Sequence, residues 1–327
     1  MKNRYSAFLS RLIRIIALGG LVAGPWSMAA QAQDLVRVAV GVDPVYTPWW
    51  IAQEKGFFKK YNITPEITQF SGGPTLADAT MAGEMDIGSS GTATWMPRIV
   101  RGGMVILATM ATSRDAYRMA ARTSIKSLAE LKGKKVGSVA GSSTDYLWVL
   151  VARKLNVPES GFQVLGMSPA ELVPSLDRGD IEAYFVWEPW ATRGVEVSGK
   201  NKVHILANSG DVGYLLNFVI GANKKFVDAK PEVVTRVLAA IRDAVDFQNK
   251  NPGEAARIGG EKNKLKPDGA ANVINLYKFS MTITEDMVNA AKTEEAWMRS
   301  KARLKGEPID WSKTVDRRAF DRAMAMK

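Results

Sequence analysis

The 327-residue sequence contains no cysteine, which excludes disulfide bonds, thiolate nucleophiles and cysteine-ligated metal sites. It contains one histidine, His204, in an apolar stretch where a structural role is more common than a catalytic one. The patterns Gly-x-Ser-x-Gly, His-Glu-x-x-His and Gly-x-x-x-x-Gly-Lys-Ser/Thr are absent as well. These absences argue against an enzyme, and we expect neither a cofactor nor a metal.

Long hydrophobic runs are also missing, because no segment after the N-terminal region is apolar enough to cross a bilayer. Basic residues crowd the first positions and precede a short apolar run, Ile15–Ala23, and Ala30-Gln31-Ala32 fits a signal peptidase site. We therefore expect a cleaved secretory signal at residues 1–32 and a mature chain that starts at Gln33. Without a cysteine for lipid attachment, the product is expected to be free in the periplasm of a Gram-negative cell.

The charge is strongly positive, with a formal net charge of +11, but the basic residues are scattered in short groups. None of these groups forms a long run with interleaved aromatic residues. This distribution favours solvated faces and attraction to anions, and it argues against a nucleic-acid partner. The content of 46% hydrophobic and 24% charged residues is typical of a globular protein.

Strand and helix patterns alternate along the first part of the chain. Leu35–Val42 alternates valines as a strand does, and Ile63–Phe70 and Val105–Thr112 are further strand patterns with helical stretches between them. This order predicts a largely parallel sheet with helices on both faces. The pattern restarts near residue 117 and predicts a second α/β unit, and the remainder is expected to be helical, including a helix over Asp268–Phe279.

The stretch Gly83–Trp95 carries the main functional signal, because a strand there leads into a turn of small residues and then into a helix. The unpaired N–H groups and the dipole at such a helix start favour an anion. Gly141–Thr144 repeats this arrangement in the second unit. The alternative is that these hydroxyls only cap their own helices, since Ser142 and Asp145 match a capping box. The candidate anion-binding residues are Ser89, Ser90, Gly91, Thr92, Ser142, Ser143 and Thr144.

Aromatic residues follow two of the predicted strands, where the ligand crevice of an α/β sheet lies. Of Tyr46, Trp49 and Trp50, one is expected to reach this crevice while the others belong to the core. At the end of a strand in the second unit, Trp187 or Trp190 would pack on an apolar ligand body and Glu188 would meet a ligand cation. The alternative for Glu188 is a surface carboxylate beside core tryptophans.

Four segments taken together resemble the ABC-transporter solute-binding proteins for aliphatic sulfonates, taurine and nitrate, to which pyrimidine-precursor binding proteins are related. In chain order they are Val45–Ile63, Phe70–Gly91, Ser127–Ser143 and Arg178–Ala191. The helical C-terminal third resembles the family only in its general helical character and carries no matching segment.

The resemblance implies an α/β protein of the type II periplasmic-binding fold, with two lobes joined by a hinge. Lobe I would comprise residues 33–117 and 220–327, and lobe II residues 118–219. In similar sulfonate binders the anionic head lies at the two Ser/Gly turns. Glu188 occupies the place that meets the ammonium group in taurine-type binders, which often have aspartate there, so taurine itself is in question.

The expected function is therefore capture of a small organic anion, such as taurine or an alkane- or arylsulfonate, by a monomer that delivers it to an ABC permease. The ligand-binding residues would be the two turns together with Tyr46, Trp49, Trp187 and Glu188. Nitrate, an aromatic carboxylate or a thiamine-pyrimidine precursor are alternative ligands. An enzyme that resembles the pyrimidine synthases is disfavoured, since those rely on a cysteine-rich motif.

Overall fold

The computed structural model describes residues 33–326. The secretory signal expected at residues 1–32 lies outside the described residues. Within 33–326, no helix combines the length and the apolar character that crossing a bilayer requires.

Eleven strands in the described residues form two mixed sheets. In chain order they are β1 (Asp34–Gly41), β2 (Ile63–Phe70), β3 (Ile87–Gly91), β4 (Met104–Ser113), β5 (Tyr117–Arg122), β6 (Lys135–Ser138), β7 (Gln163–Gly166), β8 (Ala183–Trp187), β9 (Val203–Asn208), β10 (Leu216–Asn223) and β11 (Lys278–Thr282). The first sheet has the order β11-β4-β10-β3-β1-β2, and the second sheet has the order β7-β6-β8-β5-β9.

The α-helices connect the strands and form most of the C-terminal part. They are α1 (Thr47–Glu54), α2 (Phe57–Lys60), α3 (Gly73–Ala82), α4 (Thr92–Val100), α5 (Ser143–Lys154), α6 (Pro169–Arg178), α7 (Trp190–Ser198), α8 (Lys224–Ala229), α9 (Pro231–Lys250), α10 (Pro252–Asn263), α11 (Pro267–Ile274), α12 (Glu285–Ser300), α13 (Trp311–Thr314) and α14 (Arg317–Ala325).

The first sheet is parallel where it supports the predicted crevice. Strand β1 pairs in parallel with both β2 and β3, so the loops that follow these three strands meet at one edge of the sheet. Strand β10 runs antiparallel between β3 and β4. The residues of β3 and β10 are buried throughout, as expected for strands covered on both faces.

Two expectations from the sequence differ from the structure in the C-terminal half. The helix predicted over Asp268–Phe279 is wrong in its second part: α11 ends at Ile274, and Lys278–Thr282 forms the edge strand β11. Pairing of β11 with β4 overrides the local helical pattern there. The segment 118–219 expected for lobe II also includes the start of β10, which belongs to the first sheet. The division into hinged lobes stays a prediction.

Candidate functional site

A small cavity of about 30 Å³ lies where loops from both sheets meet. The first sheet supplies the loops after β1, β2 and β3, and the second sheet supplies residues of β5, β8 and the turn after β6. The cavity is lined by Gly41, Val42, Asp43, Tyr46, Ser71, Gly72, Gly73, Ser90, Gly91, Thr94, Tyr117, Ser142, Trp187, Phe218 and Tyr277.

Two helices begin at this cavity without a side-chain cap. The N-cap of α3 is Gly72 and that of α4 is Gly91, and neither has a side chain that accepts from the first turn. The first N–H groups of a helix have no partner inside it, and the helix dipole places partial positive charge at this end. Both helix starts are therefore suited to an anionic or acceptor-rich ligand group.

Ser90 lies between these two helix starts. Its side chain is buried, and among the described residues its Oγ has no hydrogen-bond partner although it lines the cavity. A Cβ atom on Gly73 would collide with this Oγ and approach the Thr94 hydroxyl to 3.3 Å. Only glycine at position 73 leaves the two hydroxyls room, so the turn after β2 and the turn after β3 form one cradle.

In the matching turn of the second unit, Gly141–Thr144, the serine hydroxyl has hydrogen-bond partners within the protein. The Ser142 Oγ donates to the Val139 carbonyl at 2.8 Å and accepts from the Thr144 N–H at 3.2 Å, so Ser142 caps α5. Ser142 still lines the cavity. The capping alternative therefore describes Ser142, whereas it does not describe Ser90.

The other two hydroxyls of that turn do not line the cavity. Thr144 is fully buried, and its Oγ1 accepts from the Val139 N–H at 3.0 Å and bonds the Ser138 hydroxyl at 3.0 Å. Ser143 is buried against the first sheet, because a Cβ on Gly91 would lie 2.7 Å from its Oγ. Thr144 thus holds the turn together. Ser143 lies at the contact between the two halves of the site, which are the parts supplied by the first sheet and by the second sheet.

Aromatic rings form much of the remaining wall. The ring of Tyr46 meets that of Phe218 edge to face at 5.2 Å, and Tyr117 lies 6.3 Å from Trp187. Burial raises the pKa of Tyr117 and of Tyr277. Both phenols therefore keep their protons at neutral pH and remain available as O–H donors.

Three residues that were expected to bind the ligand form hydrogen bonds within the part of the protein built on the first sheet. Trp49 is fully buried, and its Nε1–H donates to the Ser89 Oγ at 3.0 Å. The Ser89 carbonyl accepts from the Tyr46 hydroxyl at 3.1 Å, and the Thr92 hydroxyl donates to the Asn217 carbonyl at 3.2 Å. Trp49, Ser89 and Thr92 do not line the cavity, whereas Tyr46 does.

Glu188 is likewise not among the residues that line the cavity. Its carboxylate accepts from the Thr192 N–H at 3.0 Å, from the Thr192 hydroxyl at 2.8 Å and from Arg118 at 3.2 Å. The side chain is buried, with 1% of its surface exposed. These contacts make Glu188 a cap for the start of α7 with an ion-pair partner, so its placement does not support the predicted contact with a ligand cation.

Asp43 is a cavity residue that sequence reasoning missed. It follows β1, and its Oδ1 accepts from the Val45 N–H at 2.9 Å. Burial raises the pKa of Asp43 to about 8, and the nearby carboxylate of Glu188 acts in the same direction. Among the described residues that line the cavity, Asp43 is the only one with an ionisable carboxyl, and none is a lysine or arginine.

The remaining missed residues come from the turn after β2 and from distant parts of the chain. The Ser71–Pro74 turn falls at the end of a predicted strand, and this position was the signal that could have identified Gly72 and Gly73. Tyr117 and Tyr277 lie far from the turns in sequence and carried no comparable signal.

Comparisons of sequence place the chain among binding proteins. A family model described as NMT1/THI5 like matches residues 43–255. A Brucella abortus protein named as a binding protein is 32% identical over 260 residues, which cover 77% of this chain and 78% of the relative. A Bacillus subtilis protein named as an aliphatic sulfonates-binding protein is 24% identical, and the match covers 96% of each chain.

Comparison of structure gives the fold. The crystal structure of the periplasmic aliphatic sulphonate binding protein SsuA from Escherichia coli matches with a TM-score of 0.75 at 16% identity. The match covers 88% of this chain and 99% of that chain. This likeness confirms the α/β fold of type II periplasmic-binding proteins that the sequence predicted.

Proposed function

The chain belongs to the NMT1/THI5-like family, and from this premise we propose that it is the substrate-binding component of an ABC importer. Its ligand is a small organic anion, best represented by an organosulfonate, which it delivers to a permease. The observation that carries this proposal is the pair of uncapped helix starts, at Gly72 and Gly91, beside the unpartnered hydroxyl of Ser90.

The donors at this cradle are matched to a group with several acceptor oxygens. Backbone N–H groups of α3 and α4 and the hydroxyls of Ser90 and Thr94 are neutral donors that face one space. A sulfonate offers three acceptor oxygens in a tetrahedral arrangement, so it engages donors from several directions. Neutral donors also bind an anion without a lysine or arginine in the lining.

The rest of the cavity suits an apolar or aromatic ligand body. Tyr46, Tyr117, Trp187, Phe218 and Tyr277 supply ring faces and edges around the space. Burial of such rings against a ligand contributes free energy through apolar contact. The chemistry of arylsulfonates and short alkanesulfonates matches both parts of the site, the donor cradle and the aromatic wall.

Isothermal titration of the purified protein with taurine, ethanesulfonate, benzenesulfonate, benzoate and nitrate tests the proposal. We expect at least one sulfonate to bind, and Ser90→Ala to weaken that binding by about tenfold, as loss of one hydrogen bond to a charged group implies. Ser160→Ala is the matched control, since Ser160 is exposed and distant from the lining. Absence of binding by all five anions would refute the anion proposal.

A thiamine-pyrimidine precursor is the second candidate, and a specific observation favours it. The carboxyl of Asp43 and the surrounding rings offer a hydrogen-bond partner and stacking surfaces for a nitrogen heterocycle. In the same titration, binding of 4-amino-2-methylpyrimidine with no response to any of the anions would select this candidate.

The periplasmic location, the cleaved signal and the monomeric state belong to the same proposal. Export of the chain with its residues 1–32 intact, followed by mass spectrometry, tests cleavage before Gln33.

Turnover of any bound ligand by the pure protein would support the enzyme alternative. His204 offers that alternative little, because its Nε2 is 2.8 Å from the Ile125 carbonyl and it is not among the cavity residues.

A further inference from the structure

Asp43 differs from the other charged side chains in its surroundings. Its side chain is 4% exposed, and the only hydrogen bond to its carboxylate among the described residues is the one from the Val45 N–H to Oδ1. Oδ2 therefore lacks a protein partner although Asp43 lines the cavity. A buried carboxyl group normally has a partner that offsets its desolvation.

The titratable groups close enough to Asp43 to influence its charge are neutral or acidic. They come from four different parts of the chain: Tyr46 after β1, Tyr117 in β5, Glu188 after β8 and Tyr277 after α11. Glu188 is already paired with Arg118 at 3.2 Å. No cation in the described part of the chain forms a salt bridge with Asp43, so its Oδ2 is free to meet a donor group of a ligand in the cavity.

We propose that Asp43 is a specificity-determining residue, which selects ligands that carry an ammonium or N–H donor group in addition to their acceptor-rich head. This inference rests on the proposed function and narrows its substrate class from organic anions to amino-bearing or zwitterionic ones. The head would occupy the cradle at Gly72, Ser90 and Gly91, while the nitrogen faces Asp43 and the rings around it. Aromatic faces also attract a cation, so Tyr117 and Trp187 favour the same ligand class.

The structure also separates this role from the one that the sequence suggested for Glu188. Both carboxylate oxygens of Glu188 are engaged by Thr192, and Oε1 also accepts from Arg118. Asp43 is the carboxyl with a free oxygen at the cavity. Removal of the Asp43 carboxylate is thus expected to weaken binding of a ligand nitrogen, whereas removal of the Glu188 carboxylate is not.

Matched ligand pairs that differ by one amino group test the inference. The pairs are taurine and ethanesulfonate, 4-aminobenzenesulfonate and benzenesulfonate, 4-aminobenzoate and benzoate, and 4-aminopyrimidine and pyrimidine. We expect the amino member of at least one pair to bind tenfold or more tightly than its partner. Asp43→Asn should reduce that preference by about tenfold to a hundredfold, the range for a hydrogen bond to a charged group.

Two further variants keep the result interpretable. Asp43→Ser retains an oxygen that can accept from the Val45 N–H, and it replaces Asp43→Asn if that variant fails to fold. Asp177→Asn is the control, because Asp177 is exposed on α6 and outside the lining.

For taurine, the affinity of the unaltered protein should rise between pH 6 and pH 8 as Asp43 ionises, and Asp43→Asn should remove this rise.

The outcomes distinguish this inference from the function on which it rests. Equal binding of both members of every pair, with Asp43→Asn without effect, would overturn the role of Asp43 and leave the anion-binding proposal standing. Binding of 4-aminopyrimidine alone, lost in Asp43→Asn, would support Asp43 and overturn the anionic head. Failure of every amino-bearing probe to bind would count against the inference.

Discussion

Gly91 and Ser143 are in contact across the two halves of the site. A Cβ atom on Gly91 would lie 2.7 Å from the Ser143 Oγ and 3.3 Å from the Tyr117 hydroxyl. Gly91 has φ −63°, which any residue adopts, so its requirement for glycine comes from space and not from backbone conformation. The contact brings the turn after β3 against the start of α5.

Gly91→Ala is therefore expected to hold the two halves apart. The added methyl group forces Ser143 or the helix start away, and we expect ligand affinity to fall by tenfold or more and the free energy of unfolding to fall by about 1–3 kcal/mol. Titration calorimetry measures the affinity, chemical denaturation measures the free energy of unfolding, and small-angle scattering reports whether the two halves separate. Gly253→Ala is the control because a Cβ there meets nothing within 4 Å. An unchanged affinity in Gly91→Ala would show that the contact is dispensable for binding.

Trp49→Phe is expected to lower stability without changing ligand affinity. The variant loses the buried hydrogen bond from Nε1 to the Ser89 Oγ and leaves that hydroxyl without a donor, at a cost of about 1–3 kcal/mol in the free energy of unfolding. Trp50→Phe is the matched control, since the Trp50 Nε1 is buried without a partner. Chemical denaturation and titration check the two quantities. A larger effect on affinity than on stability would restore Trp49 to the ligand site.

Glu188→Gln tests the assignment of Glu188 as a cap. The neutral amide has one acceptor oxygen in place of two, so the bonds from Thr192 and Arg118 cannot all be kept. We expect a loss of about 1–3 kcal/mol in unfolding free energy and no loss of the preference for taurine over ethanesulfonate. Glu196→Gln, on an exposed position of α7, provides the baseline. A collapse of the taurine preference would instead place the ligand nitrogen at Glu188.

Glu294→Gln is expected to change how stability depends on pH. Glu294 is buried on α12, its Oε1 accepts from the Tyr214 hydroxyl at 2.7 Å, and burial raises its pKa to about 7. The folded state therefore holds a proton that the unfolded state releases between pH 4.5 and pH 7, and stability falls as pH rises through this window. The loss amounts to about 3 kcal/mol, which Glu294→Gln should abolish.

Unfolding titrations at pH 4, 6 and 8 measure this difference. Near pH 4 the two proteins should be similar, because Glu294 is protonated in both states. At pH 8 the variant should be the more stable one. A constant difference at all three values would show that Glu294 does not titrate in this window.

The pattern of strands and helices around the site was predictable because it rests on local periodicity. β3 followed by α4 and β6 followed by α5 appear where alternating and small residues predicted them. The edge strand β11 was not predictable, since it depends on pairing with β4, which lies far away in sequence. Of its five residues only Lys278 and Phe279 fall within the predicted helix, and pairing at the open edge of the first sheet explains their extended conformation.

A cavity at these strand ends was predictable, whereas the contacts of the residues around it were not. Ser90 and Ser142 stand in nearly the same sequence pattern, yet one hydroxyl is without a partner and the other caps its helix. That difference depends on the angles of the flanking turns, which residue types do not reveal. Asp43 was missed for a related reason: a carboxylate in a loop is usually solvated, and its burial depends on Tyr117 and Tyr277, which are distant in sequence.

The position of β10 has a consequence for the order in which the chain can assemble. This strand separates β3 from β4 in the first sheet, although it follows the whole of the second sheet in sequence. When the chain emerges with its N-terminus first, β4 cannot yet join β1 to β3 in the first sheet, because β10 has not been made. Strands β5 to β9 can already pair with one another. The second sheet can therefore be complete before the first, and the larger core closes only after residues 216–223 arrive.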